Sequence, residues 1–308
     1  MAIDLTNPIF HDEDKAREHM EALRWPEGPF CPHCGEVENV RRLEGKSHRK
    51  GLIQCNSCLQ TFTVTVGSVM ERSKIPLAKW VLGFHLMAAS KKGVSAHQLH
   101  RTLGVTYKTA WFMAHRIREA MRLGPLSPPM GSGGAVVEVD ETFTGKNRFP
   151  KMKAGFQHKN VVLTLVERGG EARSFHIDRA DAASIIPVVR ENVAHEAKVA
   201  TDEAAYYRPL EREGFNHKTV NHSKDEWVRG EVHSNTVEGY FSVFKRGMKG
   251  VYQHCSEKHL HRYLAEFDFR YSNRSALGIE DSARADKIIK GAVGKRLQYR
   301  QPRAEIKA

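Results

Sequence analysis

The chain has 308 residues, with 48 Lys and Arg against 36 Asp and Glu, a net charge of +12. That length supports two or three domains with a sizeable core, and the positive excess suits a polyanionic partner. No apolar run approaches the ~20 residues of a membrane span, and the start Met-Ala-Ile-Asp-Leu-Thr has no apolar secretory stretch, so a cytoplasmic protein with no membrane partner is expected.

The first 73 residues carry an N-terminal helix and two Cys-x-x-Cys pairs, Cys31-Pro32-His33-Cys34 and Cys55-Asn56-Ser57-Cys58, with twenty residues between them. Two residues between ligands let a tight turn aim both thiolates at one metal, and Gly35 supplies the permissive backbone after the first turn. Four thiolates fill a tetrahedron and leave no open position, so Cys31, Cys34, Cys55 and Cys58 predict a structural Zn²⁺ site of the zinc-ribbon kind rather than disulfides. Residues 44–49 read as a hairpin tip. Phe62, Val64 and Val66 alternate with Thr63 and Thr65 as a strand would.

Residues 74–124 read as three helices. Pro76 suits the first turn of the first, Ser95 with Gln98 has the form of a capping box for the second, and Gly104 turns the chain into the third. Leu99, Leu103, Val105 and Ala110 have the spacing of the packed seam in a helix-turn-helix, which leaves Thr106, Tyr107 and Lys108 at the front of a recognition helix for DNA. Residues 125–134, rich in Gly, Pro and Ser, read as a linker.

From 135 to 275 the pattern becomes strand-rich and then mixed. Asp140 closes the apolar run that starts at Ala135, and Asp202 closes a second run from Ala197. Glu238 opens an amphipathic segment after an interval of thirty-five residues, and Lys245 lies seven positions further on, two helical turns along the same face. Two strand-end aspartates and a helical glutamate suit two Mg²⁺ ions ~4 Å apart, which clamp the attacking and leaving oxygens of a phosphodiester. Glu138 alternates onto the strand face of Asp140, and Glu141 should point away. Asn235, one turn before Glu238, is the alternative third member. Lys146, Arg148, Lys151, Lys153, Lys245, Arg246 and Lys249 suggest a path for DNA. Residues 276–308 read as a basic tail, partly helical through Ile288 and Ile289, with eight Lys or Arg and two acidic residues from Arg284 onward.

The segments Val137-Glu138-Val139-Asp140-Glu141-Thr142-Phe143, Ala200-Thr201-Asp202-Glu203 and His233-Ser234-Asn235-Thr236-Val237-Glu238-Gly239-Tyr240-Phe241-Ser242 resemble the DDE-type transposases of IS1595-like (ISXO2-like) insertion sequences. The resemblance implies an α/β multidomain chain: zinc ribbon, helix-turn-helix and a ribonuclease-H-like DDE catalytic core. In such a core the first and fourth strands are neighbours, so Asp140 and Asp202 would meet. It also implies DNA strand transfer dependent on Mg²⁺ or Mn²⁺, two ions per active site, on double-stranded DNA comprising the element ends and a target. Asp140, Asp202, Glu238 and Lys245 would be catalytic, and Lys245 and Arg246 would also touch DNA. A homo-oligomer assembled on DNA and a nucleoid-associated location follow from the same resemblance. Two rivals stay open at this point: a nuclease or resolvase that only hydrolyses, and a non-catalytic regulator that binds DNA through the ribbon and helix-turn-helix.

Overall fold

Asp12 accepts hydrogen bonds from the N–H groups of Asp14 and Lys15 at 2.8 and 3.0 Å and so starts the first helix, α1 (Glu13–Arg24). The computed structural model describes residues 4–124, 126–146, 158–220, 228 and 233–297. They form two units, one from the described parts of Met1–Ala89, Ala96–Met121 and Asp281–Ala308, the other from Ser90–Ser95 and Arg122–Glu280.

In the first unit, α1 is followed by a three-stranded antiparallel sheet in the order β1 (Val40–Arg42), β2 (Ile53–Cys55), β3 (Thr61–Phe62). Ile53, Cys55 and Phe62 are its buried side chains. The thiolates of Cys31, Cys34, Cys55 and Cys58 lie within 4.8 Å of one another, with Sγ–Sγ separations of 3.6 Å for Cys31–Cys58 and for Cys34–Cys55. Zn–S bonds of ~2.3 Å give a tetrahedron with edges of ~3.8 Å, so this donor set fits a structural zinc. Glu36 braces the site from outside. Its carboxylate accepts the N–H groups of Val37, Glu38 and Asn39 beside the first cysteine pair and the Ser57 hydroxyl, at 2.7 Å, inside the second. The strand expected to run to Val66 stops at Phe62, because the chain turns there and the Val66 N–H bonds to the Thr63 carbonyl at 3.0 Å.

The same unit continues with α2 (Leu77–Ala89), α3 (Ala96–Leu103) and α4 (Tyr107–Met121). Glu13 of α1 caps α2 from another element, accepting from Leu77 N–H at 2.8 Å and Ala78 N–H at 3.1 Å. Leu99, Leu103 and Ala110 are fully packed between the helices, and Val105 is half-buried at the turn, where Gly104 takes a φ of +58°.

The second unit is built on five strands: β4 (Val136–Thr144), β5 (Asn160–Glu167), β6 (Ala172–Ile177), β7 (Lys198–Thr201) and β8 (Asn216–Thr219). Their order is β6-β5-β4-β7-β8. β4, β5 and β6 pair antiparallel, whereas β7 and β8 run parallel to β4. The parallel neighbours need crossovers, which α5 (Ala182–Asn192) and the short α6 (Pro209–Arg212) provide. β5 is buried on both faces, and its alternation sorts the core. Leu163 and Leu165 join Val137, Val139, Ile185, Val189 and Tyr207 on one side. Val162 and Val166 join side chains of α7 (Asn235–Gly247) and α8 (Glu257–Ser272) on the other, among them Val237, Phe244, Leu264 and Phe267. The sequence reading assigned no element to α8. Its Asp268 is buried, accepts the Ser174 N–H and hydroxyl at 2.8 and 2.6 Å and the Tyr240 hydroxyl at 2.5 Å, and so ties β6, α7 and α8 together.

The helical part expected in the basic tail at Ile288 and Ile289 is present and is packed rather than exposed. Asp281–Gly291 forms a further helix, α9, which packs in the first unit against α1, α2 and α4. Ile288 and Ile289 are 0% and 5% exposed, and Arg284 points inward, donating to the Ala88 carbonyl at 2.9 Å and to Asp281 at 2.6 Å. Apolar residues at helical spacing win over the surrounding charge. Among the described residues, no helix is long and apolar enough to cross a membrane.

Two outcomes follow from the first unit. Ile288→Ala should lower the stability of that unit by about 2–5 kcal/mol, as expected for emptying a fully buried position, read from denaturant unfolding followed by tryptophan fluorescence. One zinc per chain should be found by elemental analysis, and Cys55→Ser should abolish it and unfold the ribbon, because so small a sheet has little core of its own.

Candidate active site

The parallel pairing of β4 with β7 sets Val136 against Lys198 and Glu138 against Ala200. Continued by two residues, that register brings Asp140 opposite Asp202, at the point where β7 has just ended. Asp140 Oδ1 accepts the Glu141 N–H at 2.7 Å, and Asp202 Oδ1 accepts the Ala204 N–H at 3.0 Å, which turns the chain away from the sheet. Glu238 sits in the first turn of α7, where the Ser234 hydroxyl donates to its Oε1 at 3.2 Å. The three carboxylates are close enough to feel each other. Burial, then the charges of Glu141, Asp202 and Glu238, push the Asp140 carboxyl up from an ordinary 3.8 to about 8.

A partly buried site whose strongest neighbours are carboxylates is short of positive charge. Oxygen donors of this kind fit a hard cation such as Mg²⁺ or Mn²⁺. Among the described residues, only the cysteine cluster gathers its ligand atoms within 4.8 Å of one another.

Two further glutamates flank Asp140 and complete its surroundings. Glu138 is fully buried on the α7 side of the sheet. One of its oxygens accepts the N–H groups of Thr236 and Val237 at 2.8 and 3.0 Å, and the other accepts the Thr236 hydroxyl at 2.8 Å. Arg168 Nε donates to the same carboxylate at 2.6 Å, and Arg168 Nη2 reaches the His233 carbonyl at 3.0 Å. His233 Nδ1 lies 3.1 Å from Glu138 Oε1. Glu138 is thus the N-terminal cap of α7, supplied by a strand in place of the Ser234 side chain, which makes no cap bond. Glu141 points to the opposite face, as alternation predicts. There it is not idle: Tyr206 donates to one carboxylate oxygen and Tyr207 to the other, the latter at 2.6 Å. Burial raises the Glu141 carboxyl above its ordinary value, and the two tyrosines partly offset this. The available signal in the sequence was the presence of Glu138 and Glu141 beside Asp140 in one strand, with Tyr206-Tyr207 shortly after Asp202.

The remaining residues singled out by sequence fall in two places. Lys245 and Arg246 are exposed near the end of α7, with Lys245 Nζ 5.9 Å from the centre of the Phe241 ring. Asn235 opens α7 and is exposed. Thr106, Tyr107 and Lys108 are exposed at the start of α4 in the first unit. Thr106 is engaged there, since its hydroxyl accepts the Thr109 N–H at 3.2 Å and caps the helix, and the Tyr107 ring stacks on His97 at 4.3 Å. Lys146 and Lys249 are exposed, whereas Arg148, Lys151 and Lys153 lie outside the described residues.

Comparison with known proteins agrees with this layout. Residues 132–272 match the family described as the ISXO2-like transposase domain, and residues 11–61 match the transposase zinc-ribbon domain. An uncharacterized protein in transposable element ISH50 of Halobacterium salinarum is 28% identical over 278 residues, covering 85% of this chain and 91% of that protein. An uncharacterized transposase-like protein of Haemophilus influenzae is 25% identical over 97 residues, 32% of this chain and 77% of that one. No solved structure matches the chain. The four-cysteine ribbon and the acidic sheet domain thus fall, each in its own matched segment, within one family, and the chain belongs to the IS1595 (ISXO2-like) transposases with an N-terminal zinc ribbon.

Proposed function

We propose that the protein is a DDE-type DNA transposase that binds the ends of its element, hydrolyses a phosphodiester there and joins the freed 3′-hydroxyl to target DNA. The observation that carries this reading is the approach of Asp140, Asp202 and Glu238 from the adjacent parallel strands β4 and β7 and the first turn of α7. The strand order β6-β5-β4-β7-β8, three antiparallel and two parallel, supports a ribonuclease-H-like core.

Asp140, Asp202 and Glu238 would hold the ions, and Glu238 is preferred to Asn235 because its charge reaches Asp140. Two Mg²⁺ or Mn²⁺ ions would supply Lewis-acid activation of water, then of the 3′-hydroxyl, and neutralise the charge gathering on the phosphate. Asp140 feels the charges of both other acids and would be suited to contribute to both ion sites. Its raised proton affinity means that cation binding displaces a proton from it below about pH 8. Lys245 would hold a phosphate beside the scissile bond, with Arg246 along the DNA path. The helices α3 and α4 support a helix-turn-helix whose Lys108 and Tyr107 meet DNA, while Thr106 orders the helix start. Homo-oligomer assembly on DNA and residence at the nucleoid accompany this reading.

Asp140→Asn and Asp202→Asn should each abolish Mg²⁺-dependent cleavage and strand transfer on a precut end while leaving end binding intact; transfer at wild-type level in either variant would sink the assignment. The precut-end assay also separates transfer from hydrolysis alone.

A pH dependence accompanies the same site. The folded chain holds the Asp140 proton up to about pH 8, whereas the unfolded carboxyl releases it near 3.8, so the metal-free protein loses stability as pH rises across that window. Asp140→Asn should flatten the loss and raise the melting temperature above pH 8, measured by thermal scans in chelator.

Lys108→Ala should cost about 1–3 kcal/mol of binding to element ends with a much smaller loss on random duplex, if Lys108 meets a base edge. Equal losses on both DNAs, measured at two salt concentrations, would assign it to the phosphate backbone.

A further inference from the structure

We infer that Glu138 and Glu141 are positioning residues, two carboxylate straps by which strand β4 fixes the other two acids of the site around Asp140: Glu138 holds the start of α7, which carries Glu238, and Glu141 holds Tyr206 and Tyr207, which follow Asp202. The inference rests on the reading of Asp140, Asp202 and Glu238 as the ion-holding set.

Three features of the molecule lead here. The straps lie at positions −2 and +1 from Asp140 on one strand, so their anchor points share its backbone, paired with β5 along its whole length from Val137 and with β7 as far as Glu138. They leave the strand on opposite faces, and each meets the element that bears one of the missing acids. On one face, Glu138 bonds to Thr236 and Val237, the two residues immediately before Glu238. On the other, both oxygens of Glu141 are taken by the hydroxyls of Tyr206 and Tyr207. Between Asp202 and those tyrosines the chain is short and stiff: the Ala204 N–H returns to Asp202 Oδ1 at 3.0 Å, and Ala205–Tyr207 forms one 3-10 turn.

A purely structural role would be served as well by apolar side chains. Glu138 is 0% exposed and Tyr207 is 0% exposed, so each strap removes polar groups from water, and replacing both partners of such a bond by matched apolar groups is often neutral or stabilising. What apolar packing does not supply is direction. A carboxylate gripped through both oxygens sets the position and rotation of its partner, and positions of ion-holding groups must be set to fractions of an ångström. The strand then acts as a jig in which three acids are held by four consecutive residues, Glu138 to Glu141.

The test uses the full chain, without DNA, and reads Mn²⁺ binding by calorimetry together with backbone amide exchange in chelator. Asp140→Asn serves as the control for the ion site. The double variant Tyr206→Phe/Tyr207→Phe removes only the hydroxyls that grip Glu141. It is expected to weaken Mn²⁺ binding by about 10–100-fold, the usual effect of losing outer contacts of a metal site, and to speed exchange over 203–207 while leaving 235–238 unchanged. Glu138→Gln is expected to give the reciprocal pattern, faster exchange over 235–238 with 203–207 unchanged. Glu141→Gln keeps one acceptor oxygen and guards against a double variant that fails to fold; an intermediate loss of Mn²⁺ affinity supports the strap. If Asp140→Asn abolishes Mn²⁺ binding but the tyrosine double variant, Glu141→Gln and Glu138→Gln all bind as tightly as the unaltered chain, the straps are refuted and the ion site stands. If Asp140→Asn binds Mn²⁺ like the unaltered chain, the ion site itself is refuted, and the positioning role falls with it.

Discussion

The buried contact between Glu138 and the first turn of α7 is what the rest of the second unit is arranged around. A helix start leaves N–H groups without partners and carries partial positive charge, and a strand carboxylate inside the protein needs both a donor set and a counter-charge. Glu138 and α7 satisfy each other, and Arg168 supplies the remaining charge. Removing one side of such a contact leaves an unpaired charge or open N–H groups in the core, at a cost of about 3–5 kcal/mol in comparable buried pairs. α7 in turn lays Val237, Tyr240, Phe241 and Phe244 on the sheet, and Tyr240 completes the Asp268 cluster that fastens α8. One polar contact therefore sets the register of a helix, and the apolar packing follows from it.

The same unit shows where stability has been given up. Burial raises the carboxyls of Asp140 and Glu141, and it raises Asp268 to about 7 against an ordinary 3.8. Asp268 has three donors on it and no role beyond cohesion. Asp140 is different, because its leading influences are burial and like charge, and only the Glu141 N–H counters them. Such an arrangement suits the proposed ion site, where a cation would offset the like charge. The zinc ribbon presents the contrary case, in which donors are closed around a single position and braced from outside by Glu36.

Much of this was legible in the sequence because the relevant signals are local. The paired cysteines, the apolar strand ahead of Asp140 and the short run ahead of Asp202 each fit a short stretch of chain, and β4, β7 and α7 appear within a few residues of expectation. The Val64–Val66 strand failed because two-residue alternation says nothing about a turn set by backbone bonds from Thr63 onward. Helix α8 is harder to see, because charged residues and histidines are interleaved with the apolar ones; burial depends on Leu260, Leu264 and Phe267 there, and in α9 on Ile288 and Ile289, the pair that marks a helical part of the tail. Glu138 and Glu141 show the deeper limit. Alternation gave their faces correctly, yet the partners lie 98 and 65 residues away in the chain, and no local pattern reports such a distance.

The return of α9 to the first unit has a consequence for synthesis. A ribosome that has made α1 to α4 must still make residues 122–280 before the helix that completes their core exists. At ~5–20 residues per second that is a delay of roughly ten to thirty seconds, during which the side chains of α2 and α4 that α9 covers stay open to water or to a chaperone. The sheet unit, by contrast, has all of its own chain once residue 280 has left the tunnel. A frameshift or premature stop between Glu280 and Ile288 would therefore release a polypeptide with a complete sheet unit and a first unit lacking the helix that covers α2 and α4.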